Sequence, residues 1–215
     1  MSQQSQAPVA AHVVLILDAS GSMESVRDDA IGSVNGYITA AKRDRALYEA
    51  RFTLVTFNSS GIETIRRDQV METVALLKPA EYVCAAMTPL FDAIGHGIAL
   101  LDEALAGRAG KAVVVVLTDG HENSSQRFTF DSIQQLIKVR QQAGWLVTFL
   151  GADLSVAKQG VQLGVNANLV AAYVGGDGLR AVGCVMAASV SRFVQSMDAG
   201  PTSHERAILH GELDD

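Results

Sequence analysis

The feature that most constrains the fold is a series of short apolar segments that alternate along the chain with segments of helical periodicity. His12–Leu17 (HVVLIL) and Lys111–Leu117 (KAVVVVL) contain no polar residue after their first position. Strands that are apolar on both faces are typical of a parallel sheet covered by helices on both sides. These two segments therefore predict central strands.

The other segments continue this alternation. Ile62–Arg66 follows a turn at Asn58–Gly61 and is predicted to be an antiparallel hairpin strand at the sheet edge. The remaining predicted strands are Arg51–Phe57, Trp145–Leu150 and Ala167–Val174, and the predicted helices are Val26–Ala41, Val70–Leu77, Pro89–Leu105, Phe130–Ala143, Leu154–Leu163 and Leu179–Met197. This order predicts an α/β fold: a doubly wound, Rossmann-like, mostly parallel six-stranded sheet with one antiparallel edge strand and helices on both faces.

The size and composition of the chain predict one domain. Its 215 residues are 48% hydrophobic and 19% charged, which is enough for one large core and too little for two typical domains. We expect a disordered leader at residues 1–11, a domain at residues 12–197 and a flexible tail at residues 198–215. Gly175–Gly178 is predicted to be a turn, because it lacks the Lys-Ser/Thr pair of a phosphate-binding loop.

Charge and cysteine content narrow the classes of partner. The net charge is −6 and no basic patch stands out, so neither nucleic acid nor an anionic membrane is an expected partner. No apolar run approaches the ~18 residues of a membrane span, and residues 1–11 lack the basic residues of a secretory signal. Cys84 and Cys184 have no metal-like or redox-like spacing and are predicted to be reduced thiols. We therefore expect a soluble, cytoplasmic protein.

Oxygen-bearing side chains follow the strands that are predicted to lie at the centre of the sheet. Asp18, Ser20 and Ser22 occupy alternate positions in a glycine-containing turn after the first strand, and such a turn can direct their oxygens to one point. Thr88 precedes a predicted helix and Asp119 follows the strand at 111–117. Since ligands of such sheets bind outside the carboxyl ends of the strands, these loops are expected to meet at one edge. Carboxylate and hydroxyl ligands suit Mg²⁺, Mn²⁺ or Ca²⁺ rather than zinc.

The three segments resemble a known site. Asp18-x-Ser20-x-Ser22, then Thr88 in Met-Thr-Pro-Leu, then Asp119 in Leu-Thr-Asp-Gly match in kind and order the metal-ion-dependent adhesion site of von Willebrand factor type A domains. The resemblance extends over roughly Val13–Met197. One departure from the family pattern is Ala86–Met87, where relatives often have glycines; an altered loop shape is a possible consequence, and Thr88 supplies the same hydroxyl.

The resemblance implies a metal-dependent protein-binding module and not an enzyme. Ser20 and Ser22 would bind the metal directly, as would Thr88 in a ligand-competent state. Asp18 and Asp119 would act mostly through water, and Asp119 would contact the metal when Thr88 withdraws. A cation held by neutral hydroxyls keeps its positive charge, so the open position would take an Asp or Glu carboxylate of a partner. Mg²⁺ suits such a site best. Cytoplasmic relatives often act in multiprotein assemblies beside AAA+ ATPases, so such an assembly is the expected partner.

Other interpretations of these residues stay open at this stage. Asp18, Ser20 and Ser22 would also serve as caps of the following helix, Thr88 as the N-cap of the next helix, and Asp119 as an ordinary turn residue. A Mg²⁺-dependent phosphoryl-transfer hydrolase would need a second aspartate two residues after Asp18 and an accompanying lysine, and neither is present. A metal-free scaffold is the third alternative, although every expected ligand position carries a competent side chain.

Two further expectations concern the surroundings of the site. Residues 121–124 either shape its rim or form a solvated loop, with Glu122 not expected to bind the metal, and Asp153 is predicted to cap a helix. The tail carries flexible carboxylates that could enter the metal site of a neighbouring copy and give head-to-tail association; they are Glu212, Asp214 and Asp215.

Overall fold

The chain folds into a six-stranded sheet with helices on both faces. This is a computed structural model, and it describes residues 11–106, 110–173 and 175–195. The strands lie in the order β3-β2-β1-β4-β5-β6, and all neighbours are parallel except β3, which is antiparallel to β2. The strands are β1 Ala11–Asp18, β2 Arg51–Asn58, β3 Gly61–Val70, β4 Lys111–Thr118, β5 Leu146–Gly151 and β6 Val170–Ala172. The helices are α1 Arg27–Arg43, α2 Leu90–Leu105, α3 Phe130–Gln142, α4 Leu154–Gln162 and α5 Gly175–Gln195. The predicted fold class is confirmed.

The central strands are buried on both faces, as their unbroken apolar sequences require. In β1, Leu15 and Leu17 join the core that α1 and α5 cover, whereas Val14 and Ile16 join the core on the side of α2, α3 and α4. β4 alternates between the two cores in the same way. Two separate cores therefore hold the central strands rigidly from both sides.

Helices α1 and α5 approach each other closely on their face of the sheet. A Cβ atom at Gly183 of α5 would lie 2.0 Å from the carbonyl oxygen of Ser33 in α1. Only glycine fits at a contact this short. The small side chain of Cys184 follows directly and lies beside Gly36 of α1.

The predicted helix at Val70–Leu77 is wrong. β3 continues to Val70, a single 3₁₀ turn covers Met71–Thr73, and the chain then runs without regular structure. The apolar spacing that resembled a helix is satisfied by burial of Met71, Val74 and Leu77 in a non-helical segment. Side chains from other elements bind its backbone: the amide of Asn35 pairs with both the N–H and the C=O of Leu77, and Arg66 donates to two carbonyl groups of the segment. These bonds replace those that a helix would supply.

Smaller differences concern the boundaries of the elements. β3 is longer than the predicted Ile62–Arg66, and Ala167–Leu169 is a 3₁₀ turn before the short β6. Gly175–Gly178, predicted as a turn, lies inside α5. β1 begins at Ala11, within the predicted leader, while residues 1–10 and the predicted tail at 198–215 lie outside the described part of the chain.

The two ends of the parallel strands carry different structures. The strand order reverses between β1 and β4, so their carboxyl ends, at Asp18 and Thr118, mark the switch point at which ligands of such sheets bind. α5 ends at the opposite edge, where Lys111 Nζ donates to the carbonyl oxygens of Phe193 and Val194 at 3.0 and 2.7 Å.

The acidic residues of the tail, Glu212, Asp214 and Asp215, lie outside the described residues. Head-to-tail association through them therefore stays a prediction. Among the described residues, no helix has both the length and the hydropathy to cross a membrane.

Candidate metal centre

Asp18 ends β1 and organises the turn that follows it. Its Oδ1 accepts a hydrogen bond from the backbone N–H of Ser20 at 2.7 Å, and its Oδ2 accepts one from the hydroxyl of Thr118 at 2.5 Å. Asp18 is completely buried, and Ser20 is buried beside it. One carboxylate thereby ties the turn after β1 to the end of β4.

A chain of short contacts joins the hydroxyls of this turn to the loop after β4. The hydroxyl oxygens of Ser20 and Ser22 are 3.2 Å apart, and Ser22 Oγ donates to Asp119 Oδ1 at 2.7 Å. Ser22 and Asp119 are more exposed than Asp18 and Ser20. The oxygens therefore extend from the interior towards solvent at the switch point.

The loop that carries Thr88 is bound to the same turn through its backbone. The N–H of Ala85 donates to the carbonyl of Ala19 at 2.9 Å, and the N–H of Gly21 donates to the carbonyl of Ala86 at 3.1 Å. Ala86 has φ +60°, in the left-handed region that favours glycine. Holding an alanine in this conformation costs about 1 kcal/mol.

The hydroxyl of Thr88 and the carboxylate of Asp18 border the same small space beside Gly120. A Cβ atom at Gly120 would lie 3.1 Å from Thr88 Oγ1 and 3.7 Å from Asp18 Oδ2. Thr88 is 3% exposed, so its position is fixed by packing. The structure thereby brings all five residues singled out in the sequence to one edge of the sheet: Asp18, Ser20, Ser22, Thr88 and Asp119.

The two carboxyl groups are poorly accommodated as anions by the protein alone. Burial raises the pKa of Asp18 to about 6, with a smaller contribution from the nearby charge of Asp119. Burial also raises the pKa of Asp119, although the hydrogen bond from Ser22 opposes the shift. A cation placed beside them would stabilise both charged forms.

The chemistry of the donors fits a hard divalent ion. The described residues contain no group of three or more His, Cys, Asp or Glu that could hold a metal, so a site here depends on hydroxyl oxygens. Three hydroxyls and two carboxylates at one edge suit Mg²⁺, Mn²⁺ or Ca²⁺, which prefer oxygen ligands. Ser20, Ser22 and Thr88, with Asp18 and Asp119, are the residues that would hold such an ion.

The capping interpretations do not account for these side chains. The 3₁₀ turn Gly21–Val26 and helix α1 both begin without a side-chain capping bond. α2 begins after Pro89, again without such a bond, so Thr88 is not its cap. By contrast, Asp153 accepts from the N–H of Val156 at 2.8 Å and caps α4, as predicted.

Two further residues support Asp18 and were not assigned a role from the sequence. Thr118 is fully buried and donates to the carboxylate of Asp18, and the phenol of Tyr82 donates to its backbone carbonyl at 2.5 Å. Thr118 stands next to Asp119 in the Leu-Thr-Asp-Gly segment, so its polarity at the end of an apolar strand was an available signal. Tyr82 carried no signal, because its contact depends on the path of the irregular segment before Thr88.

The loop after Asp119 is ordered by hydrogen bonds to its backbone and is not a freely solvated rim. Glu122 accepts from the N–H groups of Phe91, Ser124 and Ser125 at 2.9, 2.8 and 2.6 Å. Asp92 of α2, 7% exposed, accepts from three consecutive N–H groups at residues 126–128. Glu122 is thus a structural residue that joins the loop to the first turn of α2, and no sequence signal assigned either acid this role.

Asn123 binds the backbone of Thr88 in both directions. Its side-chain oxygen accepts from the N–H of Thr88 at 2.8 Å, and its own N–H donates to the carbonyl of Thr88 at 3.2 Å. The loop that begins at Asp119 therefore fixes the residue that supplies the third hydroxyl. This makes Asn123 a positioning residue of the candidate site.

Comparison with solved structures shows the same fold in proteins of distant sequence. A pilus adhesin, SpaC of Lactobacillus rhamnosus GG, in an open conformation, superposes with a TM-score of 0.71 at 15% identity, over 88% of this chain and 31% of that one. The von Willebrand factor domain of the type V pilus tip protein Mfa5 of Porphyromonas gingivalis gives 0.67 at 12% identity, over 92% and 100%. The manganese-loaded TRAP protein of Plasmodium vivax gives 0.56 at 14% identity, over 81% and 72%.

The chain spans about a third of the length of the pilus adhesin, 31%. No curated protein sequence matches it. The family model of the von Willebrand factor type A domain matches residues 12–169, which include all five candidate ligands. The chain belongs to the von Willebrand factor type A domain family.

Proposed function

We propose that this domain binds a divalent cation, Mg²⁺ in the first place and otherwise Mn²⁺ or Ca²⁺, and uses it to capture an Asp or Glu side chain of a partner protein. The observation that carries this proposal is the convergence of hydroxyls and carboxylates from three loops at the switch point. The hydroxyl oxygens of Ser20 and Ser22 are 3.2 Å apart, and the hydroxyl oxygen of Ser22 is 2.7 Å from Asp119 Oδ1. The side chains of Thr88 and Asp18 border the same space beside Gly120. A bound cation would supply positive charge for an outside carboxylate.

The position of Asp18 argues for binding and against phosphoryl transfer. A nucleophilic aspartate must present a free oxygen to its substrate. Asp18 is completely buried, and both of its oxygens accept hydrogen bonds, from Ser20 and Thr118. These contacts are those of a residue that holds a turn in place and offers its charge to a neighbouring ion.

The family assignment supports the proposal in general terms. Domains of this family are typically metal-dependent adhesion or protein-interaction modules. One protein of similar fold is described as manganese-loaded, and two are pilus proteins. The identity of the ion and of the partner in this chain is our proposal, as is an assembly with an AAA+ ATPase.

We also propose that the protein works in a reducing compartment, as the cytoplasm is. Cys84 and Cys184 are both free thiols, and Cys184 is exposed on α5. Free exposed thiols are retained more readily where glutathione keeps cysteines reduced. Fractionation of cells with a native-level tagged protein tests this location, and recovery on the cell surface would contradict it.

Isothermal titration with Mn²⁺ and Mg²⁺ tests the metal site directly. Asp119→Asn should weaken Mn²⁺ binding by about tenfold or more, because Asp119 supplies one of the two charges of the site. Asp153→Asn is the matched control: Asp153 is an exposed acid at the same edge that caps α4, and its loss should leave Mn²⁺ affinity unchanged. No binding of either ion to the wild-type chain would refute the proposal.

Capture of a carboxylate is tested with a short peptide. Ac-Gly-Gly-Asp-Gly-Gly-NH₂ should shift amide resonances near Ser22 and Gly120 when Mg²⁺ is present and not when EDTA is added. The matching Asn peptide should have no effect, since it lacks the anion. Equal shifts by both peptides, or shifts that persist in EDTA, would count against a metal-held acid.

A further inference from the structure

We propose that the turn between β2 and β3 is a further part of the candidate metal site, and that Ser59 in this turn is a positioning residue through which the site favours Mg²⁺ over Ca²⁺. The inference rests on the proposed function, because it concerns the ion that would be held there. Its evidence is separate: hydrogen bonds from one turn reach both the loop that carries Ser20 and Ser22 and the loop that carries Thr88.

Ser59 binds the residue before Thr88 in both directions. Its backbone N–H donates to the carbonyl of Met87 at 3.0 Å, and its hydroxyl oxygen accepts from the N–H of Met87 at 3.1 Å. Asn123, in the loop after β4, binds the N–H and the carbonyl of Thr88 in the same manner. Two residues from different loops therefore bind all four backbone polar groups of Met87 and Thr88.

The end of β2 also holds the turn that follows β1. The N–H of Ala19, the residue before Ser20, donates to the carbonyl of Phe57 at 2.8 Å. The side-chain amide of Asn58 donates to the carbonyl of Ala19 at 3.3 Å. Three consecutive residues, Phe57, Asn58 and Ser59, thus bind both loops that supply hydroxyl ligands. This part of the hairpin therefore sets the spacing between the two loops.

The Thr88 loop depends on such bonds for its shape. Residues 82–89, all of which the structure describes, belong to no helix or strand. Ala86 has φ +60°, a conformation that persists only where the surrounding structure maintains it. Thr88 is buried and held by packing, whereas Met87 is 50% exposed. The two hydrogen bonds to Ser59 are therefore the contacts that restrain the backbone at Met87.

A fixed spacing of the ligand loops discriminates between ions by size. Mg²⁺ requires nearly ideal octahedral geometry at about 2.0–2.1 Å, whereas Ca²⁺ accepts irregular geometry at about 2.3–2.6 Å. A loop that is free to move would therefore reduce the affinity for Mg²⁺ more than the affinity for Ca²⁺. The ratio of the two affinities reports the positioning role, because a general loss of structure would lower both.

Calorimetric titration of the full chain with Mg²⁺ and with Ca²⁺ measures this ratio. Ser59→Ala removes the acceptor for the N–H of Met87. The loss of one neutral hydrogen bond should weaken Mg²⁺ binding about three- to tenfold and Ca²⁺ binding by less than about twofold. Ser59→Thr keeps the hydroxyl and should bind both ions as the wild type does. Ser60→Ala is the matched control, because Ser60 is exposed and contacts the turn through its backbone N–H.

Amide hydrogen exchange in EDTA tests the same bond without any ion. The N–H of Met87 should exchange severalfold faster in Ser59→Ala than in the wild type, because it loses its acceptor. The N–H of Ala85 donates to the carbonyl of Ala19 and should keep its wild-type rate in this variant. Equal acceleration at both amides would indicate general loosening of the loop and would contradict a specific role of Ser59.

The affinities separate failure of this proposal from failure of the proposed function. An unchanged ratio of Mg²⁺ to Ca²⁺ affinity in Ser59→Ala, including an equal loss for both ions, would overturn the positioning role while leaving metal-held capture intact. A ratio that Ser59→Thr does not restore would overturn it as well. No binding of Mg²⁺, Mn²⁺ or Ca²⁺ to the wild-type chain would instead refute the proposed function, and this inference with it.

Discussion

Replacing Asp18 by asparagine separates the cost of burying a carboxylate from its use beside a cation. In the metal-free protein the cost dominates: burial raises the pKa of Asp18 from 3.8 to about 6. Two pKa units correspond to about 3 kcal/mol of destabilisation at pH 7, relative to a neutral side chain. Asparagine keeps an acceptor for the N–H of Ser20. Its amide can donate to Thr118, whose hydroxyl can rotate towards the carbonyl of Gly120, 3.2 Å away.

We therefore expect Asp18→Asn to be more stable than the wild type in EDTA at pH 7, by about 1–3 kcal/mol. This raises Tm by about 2–4 °C for each kcal/mol in a chain of this size. Between pH 3.8 and 6 the carboxyl group of Asp18 keeps its proton in the folded wild type, whereas the unfolded chain has released it. The free energy of unfolding of the wild type therefore falls as pH rises through this window. Below pH 3.8 the advantage of the variant should vanish.

Mg²⁺ should make the wild type more stable than Asp18→Asn, which is the reverse of their order in EDTA. At an ion concentration 100 times the Kd, the wild type gains about 2.7 kcal/mol, whereas the variant, with one charge removed from the site, should gain little. Urea unfolding with EDTA and with Mg²⁺, at pH 4 and pH 7, measures all four values for each protein, with Asp153→Asn as the control acid. A variant that is less stable than the wild type in EDTA by more than about 1 kcal/mol, or equal stabilisation of both proteins by Mg²⁺, would refute this account of Asp18.

Two further variants test the supports of the site. Asn123→Ala removes the acceptor for the N–H of Thr88, so it should weaken Mn²⁺ binding severalfold in calorimetry. Asn123→Asp keeps an acceptor at this position and should bind Mn²⁺ as the wild type does. Weak Mn²⁺ binding by Asn123→Asp would argue that Asn123 has only a structural role. Glu81→Gln should cost about 1–2 kcal/mol in urea unfolding at pH 7, because it removes the charge and one of the two oxygens that accept hydrogen bonds from Arg66. Since those bonds lower the pKa of Glu81 from 4.5 to about 2, this contribution is complete above pH 4.5 and is lost as pH falls towards 2; a difference between variant and wild type that stays constant from pH 7 to pH 3 would contradict it.

The candidate ligands could be identified from the sequence because each stands directly after a segment of strong local character. Asp18, Ser20 and Ser22 follow an apolar strand, and Asp119 follows another. A parallel sheet leaves few places for the ends of such strands, so their proximity could be anticipated. Thr88 is harder to place, since it does not follow a strand and the predicted helix at Val70–Leu77, earlier in the same connection, is wrong. Its position before the helix that is predicted to begin at Pro89 and the resemblance of its neighbours are the two signals for it.

The supports of the site could not be predicted, because they depend on contacts between distant parts of the chain. Asn123 and Glu122 looked like residues of a solvated loop until the structure placed them against Thr88 and the first turn of α2. Asp92 lies in a segment whose periodicity marks it only as helical, yet it binds three backbone N–H groups of another loop. Periodicity reports which face of an element is buried and says nothing about its polar partners.

Local pattern alone determined the fold class, the order of the six strands along the chain and the chemical type of the candidate ligands, since these depend on hydropathy, turn residues and donor atoms. Tertiary structure decided the path of the segment from Met71 to Thr88. There Arg66 and Asn35 bind backbone groups that a helix would otherwise pair. It also decided that Glu63 lies opposite Thr56 at the edge of the sheet, because the pairing of β3 with β2 fixes that position.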